Sequence, residues 1–348
     1  MAAGATNFDI FINGEQVKDD HVHRFDIERD VNQPDMCTVV LANQNAFYTS
    51  KVKLAQAMKI DVGSDQKSIW EGEVVGIEPI YSGKQKTTVV IRGMNKLHRF
   101  TRGKQSKTYA KKSDNEIIQE VMTGLDLDFT HPKAASIKYD HVYQHNQTPL
   151  EFARTRLGRI GAHFWCVGSK LVVQWPDFQK DSGIKVSINP TNDAAGLMEF
   201  YPRMSSHGVV KKVTVKGWNP ETKELITGTA SVSNSKLGST NASSGSGAHG
   251  SEETFQVDMP IWSTEEATLL AEAHLKERSM TYVTGTAKTK GSSKFDLGQV
   301  FTVDVDASGT KDPFSGKYYI LGITHHYVAS GKDGFETTLR FARDAQDV

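Results

Sequence analysis

Apolar residues recur at every second position through the first hundred residues, in Phe8, Ile10 and Ile12, in Phe25 and Ile27, in Cys37, Val39 and Leu41, and in Met58, Ile60 and Val62. A period of two puts alternate side chains on one face of an extended chain, so each run predicts a half-buried strand. Asn13-Gly14 is a hairpin signal between two of them, and Ser82-Gly83-Lys84 punctuates the strands carrying Val75, Ile77 and Val89, Ile91. The pattern predicts antiparallel β architecture, a sandwich or a small barrel.

The pattern changes near Ser113. Ser113-Asp114-Asn115-Glu116 has capping-box spacing ahead of Ile117, Ile118, Val121 and Met122, which predicts a short amphipathic helix. Thr148-Pro149-Leu150-Glu151 repeats that logic, with proline at the first helical position and Phe152, Leu157 and Ile160 facing a core. Gly161 supplies a stop. His163 to Val167 and Lys170 to Val173 then read as a hairpin turned at Gly168-Ser169. Strands return after Trp175-Pro176, including Val213 to Val215. The Gly/Ser-rich stretch at about 234–252 has almost nothing to bury and is expected to be a mobile loop. A third helix is expected from Ser263, with Glu266 completing another capping box, before alternation resumes in Phe301, Val303, Val305, in Tyr319, Leu321, Ile323 and in Thr337, Leu339, Phe341.

Two parts of the chain share one pattern. Leu54 to Val62 (LAQAMKIDV) matches Leu297 to Val305 (LGQVFTVDV). Val75-Gly76-Ile77, Tyr81, Ser82-Gly83-Lys84 and Thr87-Thr88-Val89 then follow in the first copy. Leu321-Gly322-Ile323, Tyr327, Ser330-Gly331-Lys332 and Thr337-Thr338-Leu339 follow in the second. Order and near-equal spacing favour duplication over two unrelated hairpins. One polypeptide would then carry two similar β-barrels, and three copies around an axis would present six in a ring. The expected fold class is α+β, mainly β: a first barrel at 1–105, an α/β insertion at 106–200, and a second barrel with one helix at 201–348.

Composition narrows the function. At 348 residues the chain exceeds the roughly 150 typical of one domain. Its 41 Lys plus Arg balance 41 Asp plus Glu, so no bulk field draws it to nucleic acid or anionic membrane. Cys37 and Cys166 are too few for a disulfide framework or thiolate metal site, as suits a reducing cytoplasm, although a single bridge between them stays open. No signal peptide and no membrane anchor are expected, because no apolar run approaches spanning length.

Further signals lie in Tyr143 to Ala153 (YQHNQTPLEFA), running into Arg159 to Phe164 (RIGAHF), and in the closing Gly316 to Ile320, His325-His326 and Phe335 to Thr337. With these motifs the chain resembles the late control protein D family of phage baseplate hubs, and the N-terminal hub region of type VI secretion VgrG spike proteins. The resemblance runs from about Phe8 to Phe341. It implies two tube-protein-like barrels with an α/β insertion, and a homotrimer joining a hexameric tail tube to a central spike. It also implies contacts with other baseplate subunits and a channel passing DNA or an effector. VgrG chains continue into an OB-fold and a needle, whereas this sequence stops soon after Phe341, so the spike is expected to be a separate chain. The expected location is the tail baseplate of a virion or injection particle, assembled in the bacterial host cytoplasm.

No acidic residue lies between Glu78 and Asp114, while Lys84, Lys86, Arg92, Lys96, Arg99, Arg102, Lys104, Lys107, Lys111 and Lys112 supply ten positive charges. They are candidate channel or interface residues, the channel role resting on sequence-independent phosphate contacts; the alternative is a solvated face. His21 with His23, and His325 with His326, lack a local Cys or carboxylate to complete a metal set. Asp304 and Asp306 share a predicted strand face, and structural charge is the favoured reading over an acid/base pair. No nucleophile, zinc or P-loop motif appears, so no catalytic residue, metal or cofactor is expected. A cell-wall-active enzyme and a carbohydrate-binding tail protein remain the competing functions. The five tryptophans, Trp70, Trp165, Trp175, Trp218 and Trp262, are scattered where an adhesin would cluster them.

Overall fold

A computed structural model describes residues 8–63, 66–81, 87–188, 195–245, 251–256, 260–306, 311–329 and 334–347. The alternating runs form strands with their apolar residues on one side. The first set is β1 (Phe8–Ile12), β2 (Glu15–Gln16), β3 (Val22–Asp30), β4 (Met36–Ala42), β5 (Ala57–Val62), β6 (Lys67–Ile80) and β7 (Thr88–Met94). Asn13 and Gly14 take φ of 53° and 79°, the left-handed pair that a tight two-residue hairpin needs, and join β1 to β2.

Between the two β units lies an α/β insertion made of β8 (Gln105–Tyr109), α1 (Asp114–Val121), β9 (Asp126–Thr130), β10 (Val142–Gln147), α2 (Pro149–Arg159), β11 (His163–Val167) and β12 (Lys170–Gln174). Both helices start where their caps dictate. Thr148 Oγ1 accepts from Glu151 N at 3.2 Å while Glu151 Oε2 accepts from Thr148 N at 2.8 Å, and Ser113 and Glu116 do the same for α1. The helices are clamped together in the interior. Asp114, fully buried, accepts from Arg156 Nη2 at 2.6 Å and Nε at 2.8 Å and from the Tyr139 hydroxyl at 2.7 Å.

The remaining elements are β13 (Asp181–Ser187), β14 (Ala195–Met204), β15 (Val210–Asn219), β16 (Glu224–Ser231), β17 (Thr240–Asn241), α3 (Ala242–Gly245), β18 (Ser251–Gln256), α4 (Thr264–Ser279), β19 (Val283–Lys290), β20 (Val300–Asp304), β21 (Gly316–Val328), β22 (Phe335–Arg343) and β23 (Ala345–Gln346). Hydrogen bonding assigns β13 and β14 to the second barrel, although both begin before the 200/201 boundary expected from the sequence. Strands β15, β16 and β18 form a further small layer, in the order β16-β15-β18, covered by α4. At α4 the capping box is half made. Ser263 Oγ accepts from Glu266 N, but the Glu266 carboxylate turns to Trp262 N at 3.0 Å and to Arg159 at 2.6 Å, tying α4 to α2. The described part of the Gly/Ser-rich stretch is likewise pinned: Leu237 and Ala242 are buried, and Asn241 pairs with Ala345. Residues 246–250 lie outside the described residues.

The two β units repeat one topology. Counted along the chain, the lateral order is first, fourth, fifth, sixth, third, second in β1-β5-β6-β7-β4-β3, and again in β13-β20-β21-β22-β19-β14. The second closes into a barrel by parallel pairing of β13 with β14; the first brings its end strands together through side chains, with Phe8 edge-on to Phe25 at 5.4 Å. Even the irregularities correspond. In β6 a bulge falls between Val74↔Gly93 and Gly76↔Arg92, and in β21 between Ile320↔Phe341 and Gly322↔Arg340. A second bulge separates Val22↔Leu41 from Arg24↔Val40, and Leu197↔Thr289 from Glu199↔Lys288.

The units share one sheet because β3 pairs antiparallel with the outer half of β21, from Gly322↔Asp30 to Val328↔Arg24. On the inner face Tyr327 stacks on Phe25 at 5.1 Å, and Phe335 of the second unit lies in the first unit's core. On the outer face His326 Nδ1 donates to Asp26 at 2.5 Å and Arg340 pairs with Asp30. His325 is buried at the seam, its Nδ1 3.0 Å from Thr337 Oγ1 and its ring stacked on Phe335.

Two stability predictions follow from these buried groups. Asp114→Ala strands the Arg156 charge in the interior and should cost about 3–5 kcal/mol in denaturant unfolding. Burial, reinforced by the Arg29 guanidinium, pushes His325 down to about 3. An unfolded histidine titrates near 6.5, so the neutral imidazole contributes stability that is present above about pH 6.5 and is lost as pH falls toward 3. The unfolding free energy of the wild type should therefore fall more steeply with acid than that of His325→Leu, by up to about 1.4 kcal/mol per pH unit between about pH 6 and about pH 4. Parallel slopes in urea titrations across that range would refute the assignment.

Candidate assembly surfaces

Sheet edges are where a barrel protein meets other chains, because an edge strand presents unpaired backbone groups. Beyond its bulge β6 pairs only with β7 among the described residues, so one edge of Gly76–Ile80 is open. Beyond Gly196 β14 pairs only with β19 among the described residues, leaving a second open edge along Leu197–Met204. Large apolar side chains sit on both. Ile80 is 51% exposed and Tyr81 71% on the first, and Tyr201 is 65% exposed on the second. Each edge also carries a proline, Pro79 and Pro202, which has no N–H to leave unpaired.

The basic run lies on β7, the turn after it and the insertion, and of its eight described residues four are paired with carboxylates from elsewhere in the chain. Arg92 donates to Glu78 at 2.7 Å, and this bond holds the Glu78 carboxyl below its usual range. Arg99 pairs with Glu73, where burial acts to raise the carboxyl but bonds from Arg99 and His98 win and lower it. Lys107 and Lys112 both reach Glu120, whose carboxyl their bonds hold down. Lys96 donates to Ser169 at 2.5 Å. Among the described residues Arg102, Lys104 and Lys111 have no carboxylate at ion-pair distance, and all three are exposed. Lys84 and Lys86 lie outside the described residues. The neutralising residues escape a reading of the run itself, since Glu73, Glu78 and Glu120 flank it in sequence and meet it only across strands and a helix.

The other candidates are dispersed. His325 and His326 point to opposite faces of β21, as adjacent strand residues must, and His21 Nδ1 lies 2.9 Å from the Tyr48 hydroxyl. No group of three potential metal ligands occurs among the described residues. Asp304 pairs with Lys185 at 2.9 Å, and Asp306 accepts from Ser315 Oγ at 2.6 Å, a bond that lowers its carboxyl. Both cysteines are buried and free, and burial pushes the Cys166 thiol up to about 12. Trp70 and Trp165 are buried in the barrel cores, while Trp218 is half exposed. An open cleft of about 640 Å³ between β5, β6 and the Gly168-Ser169 turn contains Asp61 and Glu73, already bonded to Lys59 and Arg99. Among the described residues no helix is long and apolar enough to cross a membrane.

Comparisons with known proteins agree with this architecture. The fold is similar to a tail protein from Neisseria meningitidis, with a TM-score of 0.71 and 12% identity over 98% of this chain and 97% of that one. It is similar to the 43 kDa tail protein of prophage MuSo2 from Shewanella oneidensis, with a TM-score of 0.70 and 13% identity over 99% and 100% of the two chains. It also matches the E. coli c3393 protein at a TM-score of 0.61 and 12% identity, over 95% of this chain and 76% of that one. That protein is described as a type VI secretion component similar in structure to the T4 tail proteins gp27 and gp5. The fold is thus the mainly β fold of these tail proteins, as the sequence resemblance implied. No curated protein matches the chain by sequence. The Alg8 N-terminal domain family model matches residues 2–329, nearly the whole chain, and the chain belongs to that family.

Proposed function

We propose that this chain is a structural hub subunit of a contractile tail or injection particle. In this reading it forms a homotrimer that joins a hexameric tail tube to a central spike. The observation that carries the reading is the internal repeat: two barrels of identical strand order, with matching bulges, fused through one sheet in a fold shared with tail proteins. Three such chains offer six similar barrels, which matches a sixfold tube above and a threefold spike below. A duplicated barrel brings no such gain to an enzyme or a carbohydrate binder.

The role calls for no catalytic step. Tube protein, spike protein and other baseplate subunits are the partners, held by barrel edges and loops. Arg102, Lys104 and Lys111, which have no carboxylate at ion-pair distance among the described residues, are the residues of the basic run best suited to line a channel that passes DNA or an effector. There they would act by sequence-independent attraction to phosphate or to acidic surface.

The purified chain should have the mass of a trimer by light scattering. Averaged electron images should show a ring with pseudo-sixfold density that caps the tube when tube protein is added. Persistent monomers that ignore the tube would overturn the hub reading. Lys104→Glu combined with Lys111→Glu should leave tail assembly intact and reduce delivery, measured as DNA or effector transfer per particle. Unchanged delivery would remove the channel role.

A further inference from the structure

From the repeat we infer that the contact joining the two barrels within one chain is made again between chains, by the open edge of β14 in one copy against the open edge of β6 in the next. This rests on the hub reading and supplies the residues of its interface. The equivalences come from register. β6 corresponds to β21, with Gly76, Ile77, Glu78, Ile80 and Tyr81 in the places of Gly322, Ile323, Thr324, His326 and Tyr327. β14 corresponds to β3, with Phe200, Tyr201 and Arg203 in the places of Phe25, Asp26 and Glu28. Within the chain β3 and β21 are paired. Their counterparts β14 and β6 have the corresponding edges open.

Laying one contact on the other gives a defined register between copies. Tyr201 falls opposite Ile80, where Asp26 meets His326 within the chain, so a polar pair is replaced by two exposed apolar side chains that cover each other. Tyr81 falls on Phe200, repeating the Tyr327–Phe25 stack. Arg203 falls opposite Glu78, a pair of opposite charge. Gly76 fits the same picture. Within the chain a Cβ on Gly322 would sit 2.3 Å from the Asp30 carboxylate of the apposed strand, so a side chain there would have to push that carboxylate aside. A Cβ on Gly76 meets nothing nearer than 3.5 Å among the described residues, so none of them crowds that position.

The prolines refine the geometry. Val31 N bonds to Leu321 O and Ala329 N to His23 O across the internal seam, so Ile27 and His325 are a directly hydrogen-bonded pair there. Pro202 and Pro79 take those two places in the contact between copies. Two backbone bonds are therefore absent from its centre, and neither edge leaves an orphaned N–H at that point before assembly. Side chains carry the contact to a larger extent than in the internal seam. Arg203 and Glu78 form a non-hydrogen-bonded pair, the closer of the two cross-strand geometries and within reach of a disulfide.

Glu78→Cys and Arg203→Cys chains, prepared separately and mixed under mild oxidation, should give a covalent dimer that neither gives alone. The native cysteines are buried and should not compete. The chain carrying both substitutions should give a covalent trimer. Tyr201→Asp, at an exposed position, should shift the mass from trimer to monomer while the circular dichroism spectrum stays that of the folded chain. A trimer that persists in Tyr201→Asp, with no cross-link in the mixture, would overturn this interface and leave the hub reading standing. A wild-type chain that stays monomeric with tube protein present would overturn both.

Discussion

Strand β21 is thirteen residues long, and it does the work of two strands. Its first part, from Gly316 to Tyr319, pairs with β20 inside the second barrel; its last part, from Gly322 to Val328, pairs with β3 of the first. The bulge between Ile320 and Gly322 lies where one partner gives way to the other, and a bulge bends and twists the strand that carries it. Because β22 follows β21 along its length, Phe335 and Tyr327 reach the first unit's core and the two barrels are held as one body. The seam is packed, hydrogen-bonded and ion-paired on its outer face, so the angle between barrels is set by sheet geometry.

The other elements are arranged around that constraint. The α/β insertion sits between the sixth strand of one barrel and the first of the next, and the β16-β15-β18 layer with α4 sits between the second and third strands of the second barrel. Both are peripheral layers with cores of their own, linked to each other by the Arg159–Glu266 pair. They can enlarge the surface without disturbing the strand order. An architecture of this kind offers partners edges and faces. Asp304, Asp306, His21 and His326 are each bonded to a partner of their own, and His325 and His326 lie on opposite faces of β21.

The two barrels are alike in order and different in closure. β1 is antiparallel to β5, whereas β13 is parallel to both β20 and β14 and closes its barrel with backbone bonds. Duplication followed by divergence of the first strand accounts for this, since all six strands keep one order and the two matched bulges lie in the other five. Divergence also changed the seam chemistry: one version carries Asp26 and His326, the other Tyr201 and Ile80. A contact made during folding can be polar and internal. One made at assembly gains from apolar cover that is removed from water only then.

The sequence by itself determined whatever depends on neighbours in the chain. Alternation located the strands, Asn13-Gly14 its hairpin, and Ser113 and Thr148 the starts of two helices, because period, turn dihedrals and caps are settled within a few residues. The duplication was legible for the same reason, as LAQAMKIDV and LGQVFTVDV keep the strand pattern in the two copies. Tertiary structure alone decided which strands pair. Asp181–Ser187 buries only its last two residues and has parallel partners, so neither alternation nor a local turn assigns it to the second barrel. Glu266 left its expected cap because Arg159, more than a hundred residues away, competes for its carboxylate. The basic run looked like a field of ten charges, and distant folding brought Glu73, Glu78 and Glu120 onto it. In each case the deciding partner lies outside the local pattern, which carries no information about it.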